Sequence, residues 1–436
     1  MDLIQSKLRD VYLKYLAAAL GSTLILTIYS SVDMIAVGQY AGPTGTAALT
    51  CVTPLWSIVI GLGVLLGIGG SVRMSLARGE GNEEEAHRWF TLTMVVTAVA
   101  MVLATAGFFL FLDPMLLFFG ADEALLPHCR EYAQWLCWAA PVFLLGPVLS
   151  SFIRNDGAPF LCTLAVVCGG VFNIFGDWFF TFVLDMGLSG AGLATALGQY
   201  LSAFILLSYF LRRGKGLRLA RPDRVGHRLV QIGSTGFAPF VVGVSFGITV
   251  ILFNRQIMAL AGADELAVFG AVVNCAILFQ SLFNGVGQAV QPIVSTNFGA
   301  GRGDRVRGTC KLALVTAAIM GVLFFALAEL LPGGILRLYM DVTPSVMAIG
   351  PGILRIYGSS FLLMGINVVA SYYLQSLVRT VPSVAISLAR GVALPAVLLF
   401  LLPAAFSFSA IWWTMPLTEL LTALLAVWFL RRNRIG

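Results

Sequence analysis

LCTLAVVCGGVFNIFGDWFFTFVL, residues 161–184, is an apolar run in which Asp177 is the only charged side chain. A helix needs about 20 apolar residues to cross a hydrocarbon core of about 30 Å, so this run is long enough to span a membrane. Eleven other stretches are similarly long and apolar. The twelve predicted spans are 14–38, 47–72, 89–112, 131–152, 160–184, 190–211, 232–260, 265–294, 311–331, 353–376, 383–404 and 407–430.

The overall composition agrees with a chain that lies mostly in lipid. Of its 436 residues, 58% are hydrophobic and 11% are charged, whereas soluble domains carry about 25% charged residues. Backbone exposed to lipid must satisfy its own hydrogen bonds, so we predict an all-α integral membrane protein. The spans occupy most of the chain and leave no soluble catalytic domain. No histidine falls in a span, and we expect neither a cofactor nor an enzyme active site.

Lysine and arginine are distributed unevenly between the loops. With twelve spans, the two termini and the loops that follow even-numbered spans lie on one side, and that side holds 22 of the 27 Lys and Arg residues. This asymmetry is typical of cytoplasmic loops, so both termini are predicted to be cytoplasmic. The densest basic run, residues 212–228, is therefore expected to anchor the topology and contact anionic lipid, and not to bind nucleic acid. The charged start of the chain, MDLIQSKLRD, does not resemble a cleavable signal peptide.

The basic loop divides the chain into two sets of six spans that resemble each other. When the segment 42–81 is aligned without gaps with 262–301, eight of 40 positions are identical. An even number of spans per half means that both halves enter the membrane from the same side, so the repeats are parallel. We predict two six-helix lobes around a central cavity, the arrangement of many carriers. The predicted divisions are 1–211 for the N-terminal lobe, 212–231 for the linker and 232–436 for the C-terminal lobe.

Two acidic residues of the first lobe lie well inside spans. Asp33 is predicted to be roughly 7 Å from the outer end of span 1, and Asp177 roughly 10 Å from the outer end of span 5, using about 1.5 Å per residue. Thr195 is at a similar depth in span 6, roughly 8 Å, and Asn173 is one helical turn below Asp177. The common depth predicts an ion site, although depth alone does not show that the side chains converge.

Two chemistries suit such a cluster, and both remain open. Mutual repulsion and loss of water favour a proton on at least one carboxylate, which would make the pair a protonation switch. The oxygens of Asp33, Asp177, Asn173 and Thr195 would also suit a hard cation such as Na⁺. The alternative is structural, with Asp177 and Asn173 only satisfying polar groups on neighbouring helices. Ionisable residues inside membranes are usually functional, which favours an ion site.

The second lobe carries a buried charge of each sign and a row of amides. Glu419 in span 12 and Arg390 in span 11 are at depths that would let them form a structural ion pair. Gln280, Asn284 and Gln288 recur every four residues in span 8 and predict one polar helix face. Such a face lines a cavity or a helix contact. The side chains predicted to line a substrate cavity are Gln280, Asn284, Gln288, Asn254, Asn367 and Met34.

Several stretches resemble the MATE (multidrug and toxic compound extrusion) family. They are VDMIAVGQYAG in span 1, FIRNDGAP after span 4, NIFGDWFF in span 5, SGAGLATALGQ in span 6 and QPIVSTNFGAGR in the second repeat. The resemblance covers essentially the whole chain. It implies two six-helix lobes and export of amphipathic, often cationic, organic compounds in exchange for H⁺ or Na⁺. It also implies a multi-pass protein of a prokaryotic plasma membrane.

The resemblance also implies a set of site residues. One bacterial and archaeal branch of the family has an Asp on span 1, an Asn and an Asp four residues apart on span 5 and a Thr on span 6, which here are Asp33, Asn173, Asp177 and Thr195. A span-4 position at which that branch has Asn is Ser150 here, and we include Ser150 as a weaker candidate. Span 1 also lacks the proline that bends in some relatives.

The sequence-based prediction is therefore a cation-coupled antiporter that works as a monomer on small organic substrates in the bilayer. A flippase or exporter of a lipid-linked or metabolite substrate is the alternative, although few basic residues lie inside the spans to bind an anionic lipid-linked sugar. A non-transporting receptor would not need two repeats. An intramembrane enzyme would need a nucleophile and a base.

Overall fold

The computed structural model describes residues 3–211, 216–260, 263–339 and 343–432. Short parts of the predicted lobes and linker, among them residues 212–215, lie outside these ranges. The described residues form helices joined by short connections, and twelve of these helices are long and apolar enough to cross a membrane. The prediction of an all-α membrane protein with twelve spans is confirmed.

We number the spanning helices α1 to α12. The six of the first half are α1 Leu8–Gly42, α2 Ala47–Gly79, α3 Glu83–Phe118, α4 Leu126–Asn155, α5 Pro159–Val183 and α6 Gly187–Leu211. The six of the second half are α7 Val225–Leu260, α8 Val268–Gly299, α9 Gly303–Leu330, α10 Pro344–Ser376, α11 Thr380–Ala405 and α12 Phe408–Arg432. A short helix, Pro332–Tyr339, precedes α10.

Sequence features explain several breaks between these helices. Gly42 separates α1 from α2 with φ 61° and ψ −146°, which glycine adopts because it has no Cβ. The helices α4, α5 and α10 each have a proline in the first turn, where a missing backbone N–H costs nothing. Helices α5 and α11 also contain π-helical turns, at Asp177–Val183 and at Ala389–Ala393 respectively.

The chain divides into two compact units, and two of the boundaries between them fall inside helices, one in α1 and one in α7. The first unit contains residues 1–3 and 17–236, and the second contains residues 4–16 and 237–436. This division differs from the predicted one, which kept residues 4–16 in the first lobe and began the second lobe at 232. The reason is packing: Tyr12 at the start of α1 donates a hydrogen bond to Thr316 Oγ1 in α9 at 2.9 Å, and both residues belong to the second unit.

The described part of the linker packs against α3 of the first unit. The backbone N–H of Ala220 donates to Thr91 Oγ1 at 2.8 Å, and Arg228 bonds Glu85 at 2.8 Å while its guanidinium lies 4.6 Å from the centre of the Trp89 ring. Arg228 is only 5% exposed. The expectation that the whole basic run contacts lipid is therefore wrong for Arg228, whose charge is neutralised within the protein.

Candidate cation site

The polar residues of α5 lie where its geometry changes from α to π. Asn173 is in the α-helical part, and Asp177 begins the π-helical turn that also contains Thr181. All three side chains are buried, with 3%, 1% and 1% exposure respectively. π-helical turns are rare and occur often at functional sites. The turn therefore marks the part of α5 whose buried polar atoms require a chemical explanation.

Glycines let α6 approach this part of α5 closely. A Cβ on Gly190 would lie 2.7 Å from the Phe180 carbonyl carbon, and one on Gly198 would lie 2.8 Å from the Gly169 oxygen. Small residues at helix contacts in membranes permit this backbone approach. As a result Thr195 of α6 reaches α5, where its Oγ1 accepts a hydrogen bond from Asn173 Nδ2 at 3.1 Å.

The two carboxylates are linked through the same group of side chains. Asn173 Nδ2 also donates to Asp177 Oδ1 at 3.3 Å, and Tyr132 of α4 donates its hydroxyl to Asp33 Oδ2 at 2.9 Å. The side chain of Thr195 also lies next to the side chains of Asp33 and Tyr132. Four of the five predicted residues, Asp33, Asn173, Asp177 and Thr195, are therefore brought together within the first unit.

Several acceptor atoms of this cluster have no partner. Among the described residues, no hydrogen bond reaches the buried oxygens Asp33 Oδ1, Asn173 Oδ1, Asp177 Oδ2 and Thr181 Oγ1. Neither carboxylate forms a salt bridge within the described ranges. Buried polar atoms are nearly always satisfied in native proteins, so these four oxygens require an explanation. A bound cation, or a proton on a carboxylate, would satisfy them.

The fifth predicted residue, Ser150, is not joined to the cluster. Its recorded polar contact is at the backbone, where its carbonyl oxygen accepts from Cys162 Sγ at 3.4 Å. Tyr132 of the cluster was not predicted from the sequence, and neither was Thr181, a buried side chain in the same π-helical turn as Asp177. Thr181 could have been found, because it follows Asp177 by four residues, as Asp177 follows Asn173. Tyr132 gave no such signal, since tyrosines near span ends usually anchor the helix at the interface.

In the second unit, Arg390 and Glu419 lie in contact. Arg390 Nε donates to Glu419 Oε1 at 2.7 Å, and Asn367 Nδ2 donates to Glu419 Oε2 at 2.6 Å. Arg390 Nη2 donates in addition to Gln280 Oε1 at 3.1 Å. Two of the predicted substrate-cavity residues, Gln280 and Asn367, thus belong to a buried charge network, which stabilises the charges of both ions.

The remaining candidates for a substrate cavity differ in how far they are exposed. Asn254 and Met34 are exposed, and Asn284 and Gln288 are half-buried on the same face of α8 as Gln280. For each of these four residues, contact with the substrate stays a prediction.

Comparison with known proteins identifies the family. The sequence profile of the MatE family matches residues 18–179 and 240–401, which together make up most of the chain. The chain is 22% identical over 421 residues to the multidrug export protein MepA of Staphylococcus saprophyticus, a match that covers 95% of this chain and 92% of that protein. It is 23% identical over 422 residues to MepA of Staphylococcus aureus, with the same coverage.

Solved structures agree with this assignment. A structure described as the outward-facing conformation of a multidrug resistance MATE family transporter of the MOP superfamily superimposes with a TM-score of 0.92. The superposition covers 99% of this chain and 97% of that one at 19% sequence identity, which shows a common fold. The two matched segments fall one in each half of the chain, as expected for a duplicated protein. The chain therefore belongs to the MatE family, and it is a membrane transporter and not an enzyme.

Proposed function

We propose that this protein exports amphipathic, often cationic, organic compounds in exchange for H⁺ or Na⁺ bound at Asp33, Asn173, Asp177 and Thr195, with Tyr132 and Thr181 as further members of the site. Multidrug export is the activity named for the MepA relatives. We also propose that both termini are cytoplasmic, as the loop charges indicate. The protein works in a bacterial membrane by alternating access.

One observation carries the assignment of the ion site. Two carboxylates lie near each other with four unpartnered buried oxygens and without a basic partner among the described residues. A structural role would have paired these atoms, as Arg390 and Asn367 pair with Glu419 in the second unit. The contrast between the two units supports a first-unit cluster that is complete only with a cation.

The coupling follows from thermodynamic reciprocity. A cation that binds the cluster from outside favours the state that releases the organic compound. When the cation leaves to the inside, the protein favours the state that binds the organic compound again. Ion and compound must then weaken each other's binding or favour opposite states by the same factor. One positive charge that moves inward down a potential of about 100 mV supplies about 2.3 kcal/mol. This energy corresponds to a concentration ratio of about 50-fold, since about 1.4 kcal/mol is a factor of ten.

The test is flux of a fluorescent organic cation in proteoliposomes, driven separately by a pH gradient and by a sodium gradient. We expect Asp33→Asn and Asp177→Asn each to reduce gradient-driven export at least about tenfold, because each variant loses a charge that the cation needs. Asp113→Asn is the matched control, since Asp113 is an exposed acid of the same unit that pairs with Arg130. Full export by both Asn variants would refute the site, and the gradient that drives the wild-type protein identifies the ion.

A further inference from the structure

The second unit contains a cavity of about 40 Å³ beside the Arg390–Glu419 pair. A water molecule needs about 10–15 Å³ of such space, so the cavity has room for a group of about three heavy atoms. Its lining includes Arg390, Gln280 and Tyr357 and is otherwise mostly apolar, with Phe253 and Phe269 among the larger side chains. No Asp or Glu is among the described residues that line the cavity. The partner of Arg390, Glu419, lies outside the lining and is completely buried.

Hydrogen-bond donors without partners are concentrated in this lining. Arg390 uses Nε and Nη2 for Glu419 and Gln280, and its Nη1 has no partner among the residues that the structure describes. Gln280 accepts through its oxygen, which leaves its amide NH₂ without a partner there, and the same holds for the Tyr357 hydroxyl. The oxygens of Glu419 and Gln280 that accept from Arg390 are already used, so Arg390 and Gln280 offer donors to the cavity. The lining also contains the hydroxyls of Thr249, Ser387 and Tyr357, and that of Thr249 can only accept there because its hydrogen is donated to Gly391.

The geometry of the ion pair orients its charge. Arg390 lines the cavity and Glu419 does not, so the pair presents its positive end to the cavity. Asn367 donates to both the backbone oxygen and the carboxylate of Glu419, at 2.8 and 2.6 Å, and so fixes the acid. These hydrogen bonds hold the guanidinium in one orientation, which lowers the entropic cost of binding an anion.

The backbone around Arg390 is also held in an unusual form. Arg390 lies in the π-helical turn Ala389–Ala393, and Thr249 Oγ1 donates to the Gly391 carbonyl oxygen at 2.5 Å. A Cβ on Gly391 would lie 2.6 Å from Ser245 Cβ, so α7 approaches α11 closely at this point. In the first half the corresponding fifth helix carries its π-helical turn at Asp177. The two fifth helices thus present opposite charges at the same kind of backbone irregularity.

We propose that this cavity is an anion subsite that takes the carboxylate group of an organic compound. Arg390 is the main donor, Gln280 and Tyr357 assist it, and the apolar lining covers the carbon atoms next to the carboxylate. The subsite extends the substrate range beyond the cations of the proposed function and does not depend on the cation site.

The test measures binding of radiolabelled acetate and of the isosteric neutral acetamide, which are small enough for the cavity, to the full-length protein in nanodiscs by equilibrium dialysis. We expect wild type to bind acetate at least tenfold more tightly than acetamide, since a hydrogen bond from a charged guanidinium to a carboxylate is stronger than one to a neutral amide. Arg390→Gln/Glu419→Gln should abolish this preference while keeping a neutral, hydrogen-bonded network. Tyr357→Phe should weaken it a few-fold, and Arg355→Gln, an exposed arginine of the same unit, should not change it.

Two results would overturn the proposal. The first is wild-type protein that retains acetate no better than acetamide. The second is a double variant, monodisperse and with a cooperative thermal transition, that keeps the wild-type preference. The assay uses no ion gradient and no transport, so its outcome is separate from that of the cation-coupling experiment.

Discussion

Asp177 is a carboxylate that is only 1% exposed and has no basic partner among the described residues. Burying an ionised group without a counter-ion is costly, and its like-charged neighbour Asp33 adds repulsion. Proteins retain such a group when function requires it, often at the expense of stability. Asp177 is therefore a residue at which activity and stability are expected to respond in opposite directions to the same substitution.

We expect Asp177→Asn to raise the melting temperature of the purified protein in the absence of a bound cation, by about 2–4 °C for each 1 kcal/mol gained. The amide keeps the shape of the side chain and cannot ionise. Thermal unfolding with Asp113→Asn as a control measures this, and a lower melting temperature of Asp177→Asn would contradict it.

Arg390 and Glu419 give the opposite prediction. Arg390→Gln leaves Glu419 completely buried without its cation, and we expect a loss of about 3–5 kcal/mol of unfolding free energy. Adding Glu419→Gln should recover most of that loss, because no unpaired charge then remains. Unfolding of the wild type, both single variants and the double variant completes a double-mutant cycle. Additive effects of the two substitutions would show that the pair does not interact.

At the scale of elements, the contact between α5 and α6 determines whether the cation cluster forms. Gly190 lies against the backbone of the π-helical turn, within 2.9 Å of Phe180 and Thr181 atoms for an added Cβ. Backbone atoms cannot move aside as a flexible side chain would. Any side chain at position 190 must therefore separate the two helices or displace the turn that carries Asp177 and Thr181.

We accordingly expect Gly190→Ala to destabilise the protein by about 1–3 kcal/mol and to reduce gradient-driven export, since Thr195 would move away from Asn173. Gly107→Ala in α3 is the matched control, because an added Cβ there meets no atom within 4 Å. The control should be neutral or slightly stabilising, as Ala usually is in place of Gly in a helix. Equal effects of the two substitutions on export would argue against a role for the α5–α6 contact.

Some elements could be predicted from the sequence and others could not, for physical reasons. The twelve spans were predictable because each contains the length of apolar residues that a bilayer demands. The depths of Asp33, Asp177 and Thr195 along their helices are predictions from the regular rise of an α-helix. The convergence of these side chains could not be predicted, because it depends on glycine contacts between helices. The π-helical turns in α5 and α11 also have no reliable signal, since they reflect packing and not local propensity.

At the scale of the whole molecule, the two units exchange helix ends. The start of α1, up to Leu16, belongs to the second unit, and the start of α7, up to Gly236, belongs to the first unit. We call these two boundaries, at Leu16 in α1 and at Gly236 in α7, the crossing points. The number of residues between them equals the number by which the aligned segments 42–81 and 262–301 are displaced along the chain. Sequence similarity predicted the repeat but not this exchange, because apolar periodicity does not show against which unit a helix packs.

The exchange predicts an effect in the second unit from a change near the N-terminus. Val11, Tyr12 and Tyr15 are almost fully buried, and Tyr12 bonds Thr316 in α9. We expect Tyr12→Ala to increase hydrogen–deuterium exchange in Gly303–Leu330 and to leave Pro159–Val183 unchanged. Tyr12→Phe removes the hydrogen bond to Thr316 and keeps the ring, so it separates the effect of the hydrogen bond from that of the packing. Increased exchange confined to the first unit would contradict the assignment of residues 4–16.

The position of the two crossing points also has an evolutionary consequence. A six-helix ancestor with the same contacts would have contributed its N-terminal segment to a second copy, as subunits do in a domain-swapped dimer. Gene fusion would then have joined two chains that were already dependent on each other. Neither half of the present protein, cut within residues 212–215 and produced alone, is expected to complete its own unit, because each half would carry a segment that the other one needs.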